Sequence, residues 1–222
     1  MCRFALVLSE ENIKPEVLLN SFADMAKDSL APDGDSQQDG WGVAWFSKNA
    51  WQTHHSLLPI WEDREMFGAI PRSHAFAFHA RSASFPRHKG DILFNQPYVN
   101  GEYAFVFNGL LKGVALPFSV TGKIGAEKIW NLLQIELKTN DPDTALQNVK
   151  ELLVKHSNEI IALNIGLMTN DSVYSLNQFS GDKDYYTLHK YKENGLQVIS
   201  SQPLSLFESL KKKYNESRVL GG

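Results

Sequence analysis

The sequence has almost no cysteine, no long apolar run and no marked excess of charge of either sign. Its 222 residues include one cysteine, Cys2, which excludes an internal disulfide and a multi-cysteine metal site. A membrane-spanning helix needs about 18 consecutive apolar residues, and no such run is present. The formal net charge is −3, so the composition predicts no binding of nucleic acid or of an anionic membrane.

The first residues also lack the features of an export signal. The apolar segment after Cys2 is short and is followed at once by acidic residues, beginning with Glu10, whereas a signal peptide needs a longer apolar stretch behind a basic start. We therefore expect a cytoplasmic protein.

The histidines lack the spacing of metal ligands. His54 and His55 are adjacent on a predicted strand, where neighbouring side chains face opposite sides. We expect neither a metal nor a cofactor. The seven histidines are His54, His55, His74, His79, His88, His156 and His189.

The order of predicted elements favours antiparallel sheets covered by helices. Strands are predicted at 4–8, 42–47, 53–58, 74–79, 102–107, 160–168, 172–176, 185–191 and 196–200, and helices at 14–30, 124–137, 143–155 and 204–214. Strands, two consecutive helices and strands again do not alternate regularly, which argues against a doubly wound parallel sheet. With no repeat or linker evident, residues 1–222 are expected to form a single α+β domain.

Cys2 is a candidate nucleophile because of its position. Initiator methionine is generally removed before a small residue, which would leave Cys2 with a free α-amine. An α-amine has a pKa of roughly 7.7–8.0, so it can accept the thiol proton and later protonate a leaving amine. Taken alone, a lone cysteine near a terminus is also explained as a small buried apolar residue.

Three further segments offer chemical groups, each with a structural alternative. In Asp39-Gly40-Trp41-Gly42, the glycines allow close backbone approach and Trp41 could form a pocket wall, although a tight turn before a strand gives the same pattern. Arg81, followed by Ser82 at a strand end, offers a planar fork for a carboxylate or for a structural salt bridge.

The third segment contains Asn108-Gly109. Between apolar runs this dipeptide is first a hairpin-turn signal. It could equally form an oxyanion hole, from the amide of Asn108 and the backbone N–H of Gly109.

In this order, the segments resemble the class-II glutamine amidotransferases, which are N-terminal-nucleophile hydrolases, and the resemblance is closest to stand-alone amidotransferase-like proteins. The matching motifs are Met1-Cys2, Asp39-Gly40-Trp41-Gly42, the His79 to Ala83 segment, Asn95-Gln96-Pro97-Tyr98, Phe107-Asn108-Gly109 and Ser200-Ser201-Gln202-Pro203-Leu204. The resemblance implies a four-layer αββα sandwich over roughly residues 1–205.

It also implies roles for individual residues. Cys2 would be the nucleophile and Asn108 with Gly109 the oxyanion hole. Arg81 would bind the substrate α-carboxylate, with Ser82 also assigned to substrate binding. Trp41 and Gly42 would line the neighbouring wall of the substrate pocket.

One position departs from the family pattern. The family has an aspartate for the glutamine α-ammonium near the start of the first helix after the Asn-Gly motif, and this sequence has Gly125 there. A charge-assisted hydrogen bond is worth about 1.5–3 kcal/mol. We therefore hypothesise a γ-glutamyl amide whose α-nitrogen is uncharged, or a substitute carboxylate from Glu127, Asp33 or Asp35.

The expected activity is hydrolysis of the side-chain amide of glutamine or of a γ-glutamyl compound through a thioester on Cys2, releasing ammonia or an amine. A separate synthase that accepts the ammonia is a candidate partner. The alternative is a non-catalytic relative that binds a small molecule in the same pocket.

Overall fold

The computed structural model describes residues 1–32 and 34–207, which contain ten strands and four α-helices. The strands are β1 (Arg3–Ile13), β2 (Trp41–Ser47), β3 (Ala50–Ser56), β4 (Ser73–Ala80), β5 (Tyr98–Val99), β6 (Ala104–Lys112), β7 (Glu159–Met168), β8 (Val173–Phe179), β9 (His189–Glu193) and β10 (Leu196–Ser200). The helices are α1 (Glu16–Lys27), α2 (Gly125–Glu136), α3 (Pro142–His156) and α4 (Lys183–Tyr186). No helix of the described residues is long and apolar enough to cross a membrane.

The strands form two antiparallel sheets. The first sheet has the order β3-β2-β4-β1-β10-β9 and the second has the order β5-β6-β7-β8. Every strand pair within them is antiparallel. The first strand of the chain therefore lies inside its sheet, between β4 and β10, which fixes the position of the residue that precedes it.

The sheets and helices stack in four layers. Along β1, Ala5 and Val7 face α1, whereas Phe4 and Leu6 face the second sheet. The far side of the second sheet packs against α2 and α3. Because side chains alternate along β1, its apolar residues contribute to two hydrophobic cores, one on each face of the first sheet. The αββα sandwich of antiparallel sheets expected from the sequence is confirmed.

Local chemistry sets several boundaries. The Asp141 side chain accepts a hydrogen bond from the Thr144 backbone N–H at 3.1 Å and caps α3, whose first residue is Pro142. Proline suits the first position of a helix because a backbone N–H there would have no partner within the helix. Lys48 and Asn49, with φ of 54° and 61°, form the two-residue turn between β2 and β3, and positive φ at both positions matches the twist of a hairpin.

One predicted element differs in kind. Residues 185–191, expected to be a strand, instead contain the end of α4 followed by β9. The side chain of Asp182 accepts from the Tyr185 N–H at 3.0 Å, and this cap starts a helical turn that buries Tyr185 and Tyr186. Residues 205–207 are helical; the rest of the helix predicted at 204–214 lies outside the described residues, as does Asp33.

Candidate active site

The position of Cys2 follows from the pairing of β1. Arg3 pairs with Ala80 of β4, so Cys2 lies beside the segment that follows β4. Its Sγ is 3.7 Å from the carbonyl oxygen of Ser82. Burial raises the pKa of the Cys2 thiol, while the terminal ammonium and Arg81 act in the opposite direction. A buried thiol needs such cations, or a nearby base, to react as thiolate.

Cys2 lies in a pocket of about 320 Å³, a size suited to a small organic ligand. Arg81, Ser82 and Gly109 line the same pocket. The structure therefore brings four of the residues predicted from the sequence to one cavity. The cavity continues from Cys2 between β6 and the helices α2 and α3, which form its apolar end.

Arg81 is a buried cation with unused hydrogen-bonding capacity. Its side chain is 4% exposed, its Nη2 donates to the carbonyl oxygen of His88 at 2.5 Å, and its Nη1 has no hydrogen-bond partner. The structural salt bridge considered from the sequence is not observed for Arg81 in the described residues. A guanidinium left partly unpaired at a pocket wall is suited to a carboxylate ligand.

Ser82 is also engaged through its side chain. Its hydroxyl donates a short hydrogen bond to Asp35, while its carbonyl faces the thiol of Cys2. Asp35, one of the carboxylates considered from the sequence, thus lies behind Ser82.

Asn108 and Gly109 lie in the middle of β6 and not in a turn. They pair with Asn164 and Leu163 of β7, so the hairpin interpretation of the Asn-Gly sequence is wrong. A Cβ on Gly109 would lie 2.2 Å from the carbonyl oxygen of Ala162. The glycine is therefore required by the close approach of β7.

The side chain of Asn108 is buried without partners. It is 1% exposed, and neither its Nδ2 nor its Oδ1 makes a hydrogen bond. Leaving such a group unpaired costs about 1–3 kcal/mol, so it calls for a specific explanation. Alternation from Ala104 and Val106, which face the first sheet, directs Asn108 to the inter-sheet side, and Asn108 is not among the residues lining the pocket.

Trp41 and Gly42 do not line this pocket. Trp41 is fully buried in the core against α1, and its Nε1 donates to Asp63 at 2.9 Å. Because side chains alternate along β2, Gly42 faces the side of the sheet opposite to Trp41. A Cβ on Gly42 would lie 2.4 Å from the carbonyl oxygen of Gln96. Both residues therefore support the fold near the site, and the expectation that they wall the pocket is corrected.

Gln96 was not predicted as a site residue. It is 3% exposed, lines the pocket, and its Oε1 accepts from the backbone N–H of Phe107 at 2.6 Å. It thereby holds the start of the Asn108 segment. Its segment, Asn95-Gln96-Pro97-Tyr98, was one of the matching motifs, but the role of Gln96 was not evident from the sequence because its contact with Phe107 depends on tertiary packing.

Three further residues hold Met1. The Met1 carbonyl oxygen accepts from Gln37 Nε2 at 2.9 Å and from the Tyr185 hydroxyl at 2.8 Å, and the Tyr186 hydroxyl contacts the Met1 sulfur at 2.9 Å. Gln37 is fully buried and its Oε1 has no partner. Removal of Met1 would leave these polar groups beside the new amine of Cys2.

His79 is a buried group behind the site. Burial first, and then the charge of Arg81, lower its pKa to about 3. The imidazole is therefore neutral at physiological pH. Among the described residues, no group of three or more His, Cys, Asp or Glu side chains could hold a metal ion.

No protein-family model and no curated protein matches the chain. Solved structures do resemble it. A glutamine aminotransferase class-II domain protein from Silicibacter pomeroyi has a TM-score of 0.62 at 18% identity, covering 92% of this chain and 90% of that one. The glutamine phosphoribosylpyrophosphate amidotransferase from B. subtilis has a TM-score of 0.61 at 14% identity, covering 90% of this chain.

A third structure, an allosteric regulatory enzyme of purine biosynthesis, has a TM-score of 0.60 at 14% identity. The chain spans 42% of the length of each of these last two proteins. The fold of this chain is thus the one found in class-II glutamine amidotransferase domains.

Proposed function

We propose that this protein is an N-terminal-nucleophile amidohydrolase that cleaves the side-chain amide of glutamine or of a γ-glutamyl compound. The observation that supports this most directly is the position of the chain's one cysteine, in a pocket beside a buried arginine with an unpaired Nη1. The fold shared with glutamine amidotransferases agrees with this chemistry.

The proposed reaction begins after removal of Met1. The α-amine of Cys2 accepts the thiol proton, and the thiolate attacks the amide carbon. The negative charge that develops on the carbonyl oxygen is stabilised by the amide of Asn108 and the backbone N–H of Gly109. The tetrahedral intermediate then collapses, the C–N bond breaks, and the α-ammonium protonates the leaving ammonia or amine.

Water completes the cycle. The α-amine takes a proton from water as the oxygen attacks the thioester carbon. The C–S bond then breaks, the α-ammonium returns its proton to the departing thiolate, and the carboxylic acid product ionises in solvent. Arg81 holds the substrate carboxylate throughout and fixes the distance of the amide from Cys2. Gln37 and Tyr185, released from the Met1 carbonyl, lie close enough to orient the α-amine.

Intact-mass spectrometry tests the proposal. The purified protein should lack the mass of Met1 and should gain one adduct from a chloroketone analogue of glutamine, while Cys2→Ala should gain none. Ammonia release from the substrate should fall by about 10³-fold or more in Cys2→Ala. The circular dichroism spectrum of Cys2→Ala should match that of the unaltered protein, which shows that the variant folds.

Two results would contradict the proposal: retention of Met1 in a protein that turns over, or turnover that survives Cys2→Ala. If the unaltered protein and Cys2→Ala bind the ligand equally well and neither turns it over, the protein is a non-catalytic relative. Ammonia release that rises when a synthase is added would support delivery to a separate partner.

A further inference from the structure

The pocket that contains Cys2 carries positive charge and no negative charge. Four cationic side chains line it: Arg81, Arg87, Lys123 and Lys128. No Asp or Glu of the described residues lines it. A ligand that placed an ammonium group against this lining would meet cations and, among the described residues, no lining carboxylate. The cavity is partly shielded from water, so like charges repel more strongly there than in solution.

The carboxylates close to the pocket already have partners. Glu127 accepts from the backbone N–H of Lys123 at 2.6 Å and from that of Ile124 at 3.2 Å, so it satisfies the free N–H groups at the start of α2. Asp39 accepts from the Ala83 N–H at 2.7 Å and pairs with Lys89 at 3.0 Å. Both carboxylates are thus engaged by groups of the protein itself.

Asp35, the other candidate carboxylate among the described residues, accepts a hydrogen bond from the hydroxyl of Ser82. It lies behind a pocket residue and is not itself at the wall.

The wall of the pocket formed by α2 and α3 is apolar apart from Lys128. Ile124, Ile129 and Leu132 line it from the α2 side, and Leu153 lines it from α3. Val114 lines the same pocket and is 44% exposed. An extended apolar group that entered along this wall would bury surface that a free amino acid leaves uncovered.

Gly125 leaves room at the start of α2. A Cβ placed there would meet no atom within 4 Å, and Gly125 lines the pocket. The space beside the apolar wall is therefore open where a bulkier side chain would narrow it.

We infer, on the basis of the proposed function, that the substrate is an α-N-acylated γ-glutamyl amide whose acyl chain lies along the wall formed by α2 and α3. Acylation removes the ammonium that the pocket cannot neutralise. The α-carboxylate binds Arg81, the side-chain amide reaches Cys2, and the acyl chain contacts Ile129, Leu132 and Leu153.

The test compares free L-glutamine, N-acetyl-glutamine and N-hexanoyl-glutamine as substrates. The value of kcat/KM should rise in that order, by about fourfold for each methylene that becomes buried. Gly125→Asp should move the preference at least tenfold toward free glutamine, because it adds the missing counter-charge without a steric clash. Gly125→Asn is the matched control for the space that either side chain occupies, and Gly125→Asp should favour free glutamine at least tenfold more than Gly125→Asn does.

A second readout requires no turnover. Each compound is tested for protection of Cys2 against iodoacetamide, with the adduct measured by intact mass. N-hexanoyl-glutamine should protect at concentrations at least tenfold lower than glutamine.

Equal protection by the two compounds, no protection by either, or a wild-type preference for free glutamine overturns the inference. In that last case Cys2 still turns over and the proposed function stands. A protein in which Cys2 reacts with no glutamine-like chloroketone and hydrolyses none of the three amides refutes both.

Discussion

The two ends of one pocket differ in how their polar groups are satisfied. At the end near Cys2, Arg81 is buried with an unpaired Nη1, and Asn108, which precedes the pocket residue Gly109 in β6, is buried without a hydrogen-bond partner. At the end formed by α2 and α3, the wall is apolar apart from Lys128, and Glu127 accepts hydrogen bonds from the N–H groups at the start of α2. Unpaired groups cost stability and are kept where a ligand can pair with them. The first end is thus suited to chemistry and the second to holding the remainder of a substrate.

Replacing Asn108 should give the largest effect. Asn108→Leu has nearly the same shape and removes two unpaired polar atoms, so the free energy of unfolding should rise by about 1–2 kcal/mol. Loss of an oxyanion donor should lower kcat by about 10²–10³-fold. Denaturant unfolding and initial rates measure the two quantities.

The residue that pairs with Asn108 across the sheet provides the control. The Asn164 amide donates to the Tyr186 carbonyl at 2.8 Å, and its oxygen accepts from Asn177 at 2.7 Å. Asn164→Leu should therefore destabilise the protein by about 1–3 kcal/mol. If Asn108→Leu destabilised equally, the contrast between unpaired and paired amides would be lost.

Arg81 tests the same end of the pocket through binding. Arg81→Met should raise KM for a substrate with a free α-carboxylate by about ten- to a hundredfold, the value of a charge-assisted hydrogen bond. KM for the corresponding α-carboxamide should change little, whereas loss of the positive charge near the Cys2 thiol lowers kcat for both substrates alike. Arg72→Met, which removes an exposed arginine bound to the Asn12 carbonyl, should change neither KM. An equal rise in KM for both substrates would mean that Arg81 does not bind the α-carboxylate.

His79 extends the comparison to the layer behind the pocket. Because burial and Arg81 lower its pKa from 6.5 to about 3, the unfolded chain binds more protons than the folded one between these values. Stability contributed by neutral His79 is therefore complete above about pH 6.5 and is lost as the pH falls toward 3.

Between pH 7 and pH 5 this residue should lower the free energy of unfolding by about 2 kcal/mol. Burial also lowers the pKa of His55, so this residue further lowers the free energy of unfolding as the pH falls. His79→Gln should flatten the pH dependence of the urea midpoint in this range, whereas His74→Gln should not. An unchanged slope in His79→Gln would show that His79 is not the group responsible.

The smallest effect is expected at the helical end. Glu127→Ala removes the acceptor of the Lys123 and Ile124 N–H groups and should lower the free energy of unfolding by about 0.5–1 kcal/mol. KM for free glutamine should stay the same, because Glu127 faces the backbone and not the pocket. A clear rise in KM would instead identify Glu127 as the group that binds an α-ammonium.

Several elements of the fold were predictable because their signals are local. The capped start of α3 at Asp141, the alternation along β1 and the strand β10 at 196–200 each follow from neighbouring residues. The strand predicted at 185–191 was wrong because the cap at Asp182 and the burial of two tyrosines outweighed the strand-like pattern of the segment. The turn interpretation of Asn108-Gly109 was wrong because pairing with β7 keeps these residues extended.

The candidate site divides in a similar way. Cys2, Arg81, Ser82 and Gly109 were found from short motifs, and the structure brings them to one pocket. Trp41 and Gly42 were assigned to that pocket from the same kind of motif, yet strand alternation turns Trp41 into the core and the approach of Gln96 requires Gly42. Gln37 carried no signal, and Gln96 belonged to a matching motif without a predicted role, because both contacts depend on how the chain folds back on itself.

By itself, the sequence determined which groups can react: the thiol of Cys2, the guanidinium of Arg81 after a strand, and the amide of Asn108 before Gly109, with glycine and not aspartate at position 125. Only the tertiary structure decided which polar atoms are left without partners, which carboxylates are already bound, and which wall of the pocket is apolar. The reason is physical. Residue identity fixes the chemistry of a group, whereas hydrogen bonds and burial depend on what the packed layers place against it.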